Sequence, residues 1–264
     1  MLMLTHTYIL QDVLSKRGVK QFDIDIFVYN IVPDLLTIHP DINSRQTHKI
    51  KRLLHVPDQY PKAAYVMFHL MVDDLAHYGS ICSDIPAEFD PDSQGYSYIK
   101  GKPLIHALLD FHKAVNKEIS YNEAVYRSHL IVEMIYDLVI LDHINSDQSI
   151  QLLAEAICTT AENKMDEFVA TVNWLYDVAE TDICDVMKKA SLYLTTERMQ
   201  RIMNMEGRIR LYTDKFGLRS ADQPYFDDIR DLFLQARNLL NDNELFLTQT
   251  TKEINKYGWL PPIR

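Results

Sequence analysis

Glycine is scarce in this 264-residue chain, seven in all, and ten prolines do not cluster into a tract. That excludes collagen-like and low-complexity chains, and with 47% hydrophobic residues there is enough apolar surface to fold by burial. Positive charge is short as well: 27 Lys and Arg face 37 Asp and Glu, a net charge of −10. Duplex nucleic acid and anionic membranes recruit clustered Lys and Arg, so neither is an expected partner. Three cysteines, Cys82, Cys158 and Cys184, have no CxxC spacing and are an odd number. Neither a disulfide framework nor a thiolate zinc site is expected from them. No uncharged apolar run approaches the ~20 residues needed to span a bilayer, and MLMLTHTYIL lacks a basic, cleavable leader. A soluble, cytoplasmic protein is the expectation.

Several catalytic signatures are missing too. There is no GxxxxGK[ST], no GxSxG, no HExxH and no His-Asp dipeptide in that order. Asp84, Asp90 and Asp92 lack the DxDxDG spacing of a calcium loop.

Apolar residues recur at helical spacing through most of the chain, which predicts an all-α protein. Helices are expected over residues 5–16, stopping at Gly18, over 22–32, ending against Pro33, and over 61–78. Residues 79–103 read as one long loop, followed by a helix over 103–117. Ser120-Tyr121-Asn122-Glu123 then reads as a capping box opening a helix to about residue 141. Beyond it, mixed-charge amphipathic helices are expected over 149–163, 164–179, 182–193, 196–216 and 225–257, broken at Gly217 and at residues 220–224. No Gly- or Ser-rich linker separates the halves, so residues 146–264 are expected to pack on a core formed by residues 1–145.

What the sequence does have is a regional concentration of histidine. All ten, from His6 to His143, precede residue 144. His69, Asp73 and His77 stand at successive i, i+4 steps, which on a helix form one stripe rising ~6 Å per step. His69 and His77 are then ~12 Å apart, too far to share one ion with ligand bonds of ~2.0–2.2 Å. Three ligands on this stripe therefore imply more than one metal, with Asp73 able to offer one oxygen to each neighbour. His129 and Glu133 repeat the spacing inside an apolar run, where a glutamate needs a partner, and His129 is the expected one. His106 is a weaker candidate, and His39, His55, His112 and His143 have loop or exposed contexts without an assigned role. Asp74 and Asp137 read as solvated or simply paired residues.

In order along the chain the pieces are Thr5-His6, Pro33-Asp34, His48, His69-x3-Asp73-x3-His77 and His129-x3-Glu133. Over residues 5–135 this resembles the zinc-dependent phospholipase C family, the all-α group that includes bacterial phospholipases C and the catalytic domain of glycosylphosphatidylinositol-specific phospholipase D. The resemblance implies two or three divalent ions, zinc or in its place Mn²⁺, Fe²⁺ or Ni²⁺. Asp34, His48, His69 and Asp73 match the ligands of one ion, His6 and Asp73 those of a second, and His77, His129 and Glu133 those of a third. Asp34 also matches the catalytic carboxylate that orients or deprotonates the attacking water. Phosphodiester hydrolysis of a small molecule or lipid headgroup is the implied reaction. The chain departs from the family where secreted bacterial members begin with a processed tryptophan, since here it begins Met1-Leu2. The competing expectation is a non-catalytic helical interaction or scaffold protein with a structural or remnant metal site.

Overall fold

The structure is a computed structural model that describes residues 2–86, 90–144, 147–218, 225–259 and 261. Its helices are α1 (Met3–Lys16), α2 (Ile26–Tyr29), α3 (Val32–Leu35), α4 (Ser44–His48), α5 (Ala63–His77), α6 (Tyr96–Gly101), α7 (Ile105–Ala114), α8 (Tyr121–Ile144), α9 (Gln148–Asn163), α10 (Met165–Tyr176), α11 (Glu180–Tyr193), α12 (Thr196–Ile202), α13 (Met205–Lys215), α14 (Tyr225–Leu239) and α15 (Asn243–Tyr257). Among the described residues there is no strand, so the chain is an all-α single domain, as its periodicity predicts.

α5 is the centre of the molecule. From Ala63 to Ala76 every residue is buried, polar His69, Asp73 and Asp74 included. A helix apolar on all sides must be surrounded, and α1, α2, α3, α6, α10 and α15 all pack on it. The second half of the chain closes the core: α9 lies against α1 and α2, and α14 against α7 and α8. Buried Trp259 locks the C-terminal end down, its Nε1 donating to Ala64 O at 2.9 Å.

Three expected elements are broken. Instead of one helix over 22–32 there are two single-turn helices, and Pro33 lies in the first turn of α3 rather than beyond an end. Proline fits there because its missing N–H has no intrahelical acceptor to lose. The expected 196–216 helix divides because Asn204 takes an extended conformation and its side chain accepts from Gly207 N at 2.8 Å, capping α13. Likewise 225–257 divides at residues 240–242 into α14 and α15. The long loop is also shorter than expected, since α6 occupies its second half. Gly217 ends α13 at φ 60°, as expected; the break expected at 220–224 lies outside the described residues. Among the described residues no helix is long and apolar enough to cross a membrane.

Candidate metal centre

α1, α3, α4 and α5 bring the first group together. His6 lies one turn into α1, Asp34 is in α3, His48 ends α4, and His69 and Asp73 are successive turns of α5. His48 Nε2 stands 3.4 Å from His69 Nε2, 3.2 Å from Asp73 Oδ2 and 3.5 Å from Asp34 Oδ1, while His69 Nε2 is 3.4 Å from Asp73 Oδ2. Such separations are long for hydrogen bonds to a carboxylate. They match instead the ~3.3 Å spacing of neighbouring ligand atoms around one ion with bonds of ~2.0–2.1 Å. Asp73 turns its other oxygen to His6, with Oδ1 3.1 Å from His6 Nε2. The two sets Asp34–His48–His69 and His6–His69–Asp73 thus meet at α5, each with donor atoms close enough for one ion. His69 lies within range of both sets, but with Nδ1 held by Asn30 O it has one lone pair and could serve only one ion, whereas Asp73 has an oxygen for each.

Local structure orients each imidazole. His69 Nδ1 donates to Asn30 O at 2.7 Å, which leaves the Nε2 lone pair facing the cluster. Asn30 also donates from Nδ2 to His6 O at 2.8 Å, and the His6 and His69 rings stack at 3.6 Å. His48 Nδ1 is 3.0 Å from Ser44 O, so its Nε2 likewise turns inward. α4 itself begins with a capping box: Gln46 N donates to Asn43 Oδ1 and Asn43 N to Gln46 Oε1.

Protonation states suit cation ligands. Burial, with the charge of neighbouring His6, lowers the His69 imidazole to about 4, so it is neutral at pH 7. Burial alone would raise the Asp34 carboxyl, but the nearby His48 imidazole, with those of His69 and His6, holds it below its usual range. Burial also opposes charge on His48, yet Asp34 and Asp73 outweigh it and raise the imidazole to about 10 in the metal-free chain. Three imidazoles gathered on two carboxylates therefore retain a proton that a cation would displace. Asp34 Oδ2 is buried and accepts no hydrogen bond.

A second group forms where α5, α6 and α8 meet. His77, at the last turn of α5, places Nε2 2.7 Å from Glu133 Oε1, and His129 Nδ1 or Nε2 is near enough for the three to ligate one ion. Glu133 therefore bonds across to His77 while staying close to His129, the partner the sequence expects. Burial first, then the charge of His77, lowers the His129 imidazole to about 4, and Tyr98 stacks on its ring at 4.3 Å. α6 makes this meeting possible through two glycines. A Cβ on Gly95 would lie 2.1 Å from His77 C, and one on Gly101 would lie 3.0 Å from His129 N. Ser93 Oγ donates to His77 O and Ser97 Oγ to Ala76 O, so this segment grips the backbone of α5.

A cleft of about 850 Å³ exposes both groups. Asp34, His48, Asp73, His77, His129 and Glu133 face it, with Arg45, Lys49 and Lys215 as cationic lining. Leu153, Leu194, Met199, Ile202 and Met203, all from the second half of the chain, add an apolar wall. His106 is exposed on α7 and belongs to neither group.

One expectation about an individual residue needs correction. His112 is fully buried, not exposed: its Nδ1 lies 3.2 Å from Lys117 O, and Arg127 Nη1 lies 3.2 Å from its Nε2. Of the two alternatives expected for Asp74 and Asp137, the paired one holds: both are buried against Arg52 and Arg208. Asn30, Arg52 and Arg208 carry no sequence signal, since each acts through a partner distant in the chain. No family model, curated protein or solved structure matches the chain.

Proposed function

We propose that the protein is a metal-dependent phosphodiester hydrolase of the phospholipase C type. The observation that carries this reading is the set of four inward-facing donors on Asp34, His48, His69 and Asp73, spaced 3.2–3.5 Å along the pairs given above. Asp34, His48, His69 and Asp73 would hold one zinc-type ion, His6 and Asp73 a second, and His77, His129 and Glu133 a third. Bound divalent ions would lower the pKa of water, neutralise phosphate oxygens and stabilise a leaving alkoxide.

The chain's own residues do the rest. Asp73 ties the first two sets together by offering one oxygen to each. Asp34 stays ionised, and its unengaged Oδ2 is suited to take a proton from the attacking water. Arg45, Lys49 and Lys215 stand among the lining carboxylates as cations that could meet an anionic diester, and the apolar wall excludes water. A phosphodiester-containing small molecule or lipid headgroup is the substrate class this supports. The three cysteines, none in a disulfide, fit residence in a reducing compartment such as the cytoplasm.

One observation favours the competing scaffold reading with a structural metal. The His77–Glu133 contact of 2.7 Å is a satisfied hydrogen bond in its own right. Purified without chelators, the hydrolase should carry two or three ions per chain and cleave bis-p-nitrophenyl phosphate, with EDTA stopping the reaction. Bound metal without turnover of any phosphodiester favours the scaffold.

A further inference from the structure

His6 and His48 reach the cluster from helix ends, and helix ends leave backbone groups without intrahelical partners. α4, five residues long, is too short to hold its own geometry. Its last carbonyl, His48 O, accepts from Arg52 Nη1 at 2.8 Å, and the same nitrogen reaches Ile50 O at 2.6 Å. Arg52 Nε and Nη2 meanwhile grip Asp74 Oδ2 and Oδ1 at 3.0 and 2.6 Å, a bidentate pair almost wholly buried. Asp74 directly follows Asp73 on α5 and also accepts from Cys82 N at 3.0 Å. One guanidinium thereby ties the His48 segment to the helix that carries His69 and Asp73.

The start of α1 is held in a parallel way. Asp137 lies one turn beyond Glu133 on α8, and its Oδ1 accepts from Thr5 N at 3.0 Å and Thr5 Oγ1 at 2.6 Å. Its Oδ2 accepts from Arg208 Nη2 of α13 at 2.6 Å. Thr5 directly precedes His6, while Leu2, at the N-cap, supplies no side-chain cap. Asp137 therefore does for α1 what Arg52 does for α4.

We propose that these two buried arginine–aspartate pairs are positioning devices of the metal centre, Arg52–Asp74 setting His48 and Arg208–Asp137 setting His6. The inference rests on the metal reading above. Its support is where the bonds go: to the backbone of the ligand residue itself or of its immediate neighbour. A buried ion pair is seldom more stable than an apolar pair of the same volume, so its retention calls for another reason. Lysine cannot reproduce the planar fork by which Arg52 spans the Asp74 carboxylate and the His48 and Ile50 carbonyls together, whereas Arg208 meets Asp137 through Nη2 alone. Arg208 also gives the second half of the chain a part in the site.

Zn²⁺ affinity of chelator-stripped protein tests this, measured in two backgrounds. His129→Ala leaves only the Asp73-centred ions, and Asp73→Asn leaves only the His77–His129–Glu133 ion. In the first background Arg52→Lys and Arg208→Met should each weaken Zn²⁺ binding about 10–100-fold, the usual effect of losing an outer-sphere partner. In the second, affinity should stay within about twofold, which a general loss of structure would not spare. Circular dichroism of each metal-free variant checks folding. Where either variant does not fold, Asp74→Asn or Asp137→Asn, which keep the side-chain shape, give the same readout. Unchanged affinity in the first background, or equal loss in both, overturns the positioning role while leaving the metal centre intact. A wild type that binds no Zn²⁺ overturns the metal reading and this inference with it.

Discussion

His48 and His69 bring their Nε2 atoms to 3.4 Å, with Asp73 Oδ2 3.2 Å from the first and 3.4 Å from the second. Each ring has its other nitrogen engaged by a backbone carbonyl, Ser44 O for His48 and Asn30 O for His69. Both lone pairs are thus committed to the same point. Co²⁺ added to the metal-free protein should give the intense visible absorption of a tetrahedral N,O site, and His48→Ala should abolish it. Only weak, octahedral-type bands in the wild type would exclude a tetrahedral set here.

Gly95 has no room for a side chain, since a Cβ would overlap the carbonyl of His77 at 2.1–2.2 Å. Gly95→Ala should push α6 off the end of α5 and pull His77 from Glu133 and His129. We expect a destabilisation of about 1–3 kcal/mol, the usual scale of overpacking, with one ion fewer per chain by elemental analysis. Wild-type metal content in this variant would show that α6 does not organise the second group.

Chelation should lower the melting temperature, because the second group joins the ends of α5 and α8. At a hundredfold excess over Kd a bound ion contributes about 2.7 kcal/mol, which for a chain of this size is about 5–10 °C. His129→Ala should reproduce part of that fall without chelator and respond less to EDTA afterwards. Calorimetric scans with and without EDTA check this. Coincident wild-type scans would mean that the His77–Glu133 hydrogen bond satisfies the site unaided.

Away from the metal centre, His112 gives the fold an acid limit. Burial, then the nearby Arg127 guanidinium, lower its imidazole to about 4, against about 6.5 in an unfolded chain. The folded state therefore disfavours the proton. Its contribution is fully present above about pH 6.5 and is lost as pH falls toward 4, an effect on the order of 1–3 kcal/mol. Urea titrations between pH 7 and 4 should show this loss in the wild type and a flatter profile in His112→Gln. Parallel profiles would place the acid sensitivity elsewhere.

How much of this is legible in the sequence depends on whether the information is local. The i, i+4 spacings of His69–Asp73–His77 and His129–Glu133 follow from helix geometry, so those side chains could be placed on shared stripes directly. His6, Asp34 and His48 come from separate segments, and only their order along the chain, through the family resemblance, connects them to the stripes. Arg52, Asn30 and Arg208 escape notice because a buried arginine or asparagine reads like any surface one until its partner is known. The broken helices have the same origin. Asn204 caps a helix inside a continuous helical pattern, and periodicity does not report the side-chain bond that divides it. His112 looks exposed because its burial is decided by α13, a hundred residues on, where Tyr212 Oη lies 3.5 Å from its Nε2.

Hydrolysis of bis-p-nitrophenyl phosphate, followed as Zn²⁺ is titrated into metal-free protein, bears on catalysis most directly. The rate should rise from background, level off at two or three ions per chain and fall to background on adding EDTA. Asp73→Asn should stay flat throughout while keeping a wild-type helical spectrum. Stoichiometric Zn²⁺ uptake with no gain in hydrolysis, or equal rates in wild type and Asp73→Asn, would refute a hydrolytic metal centre built on Asp73.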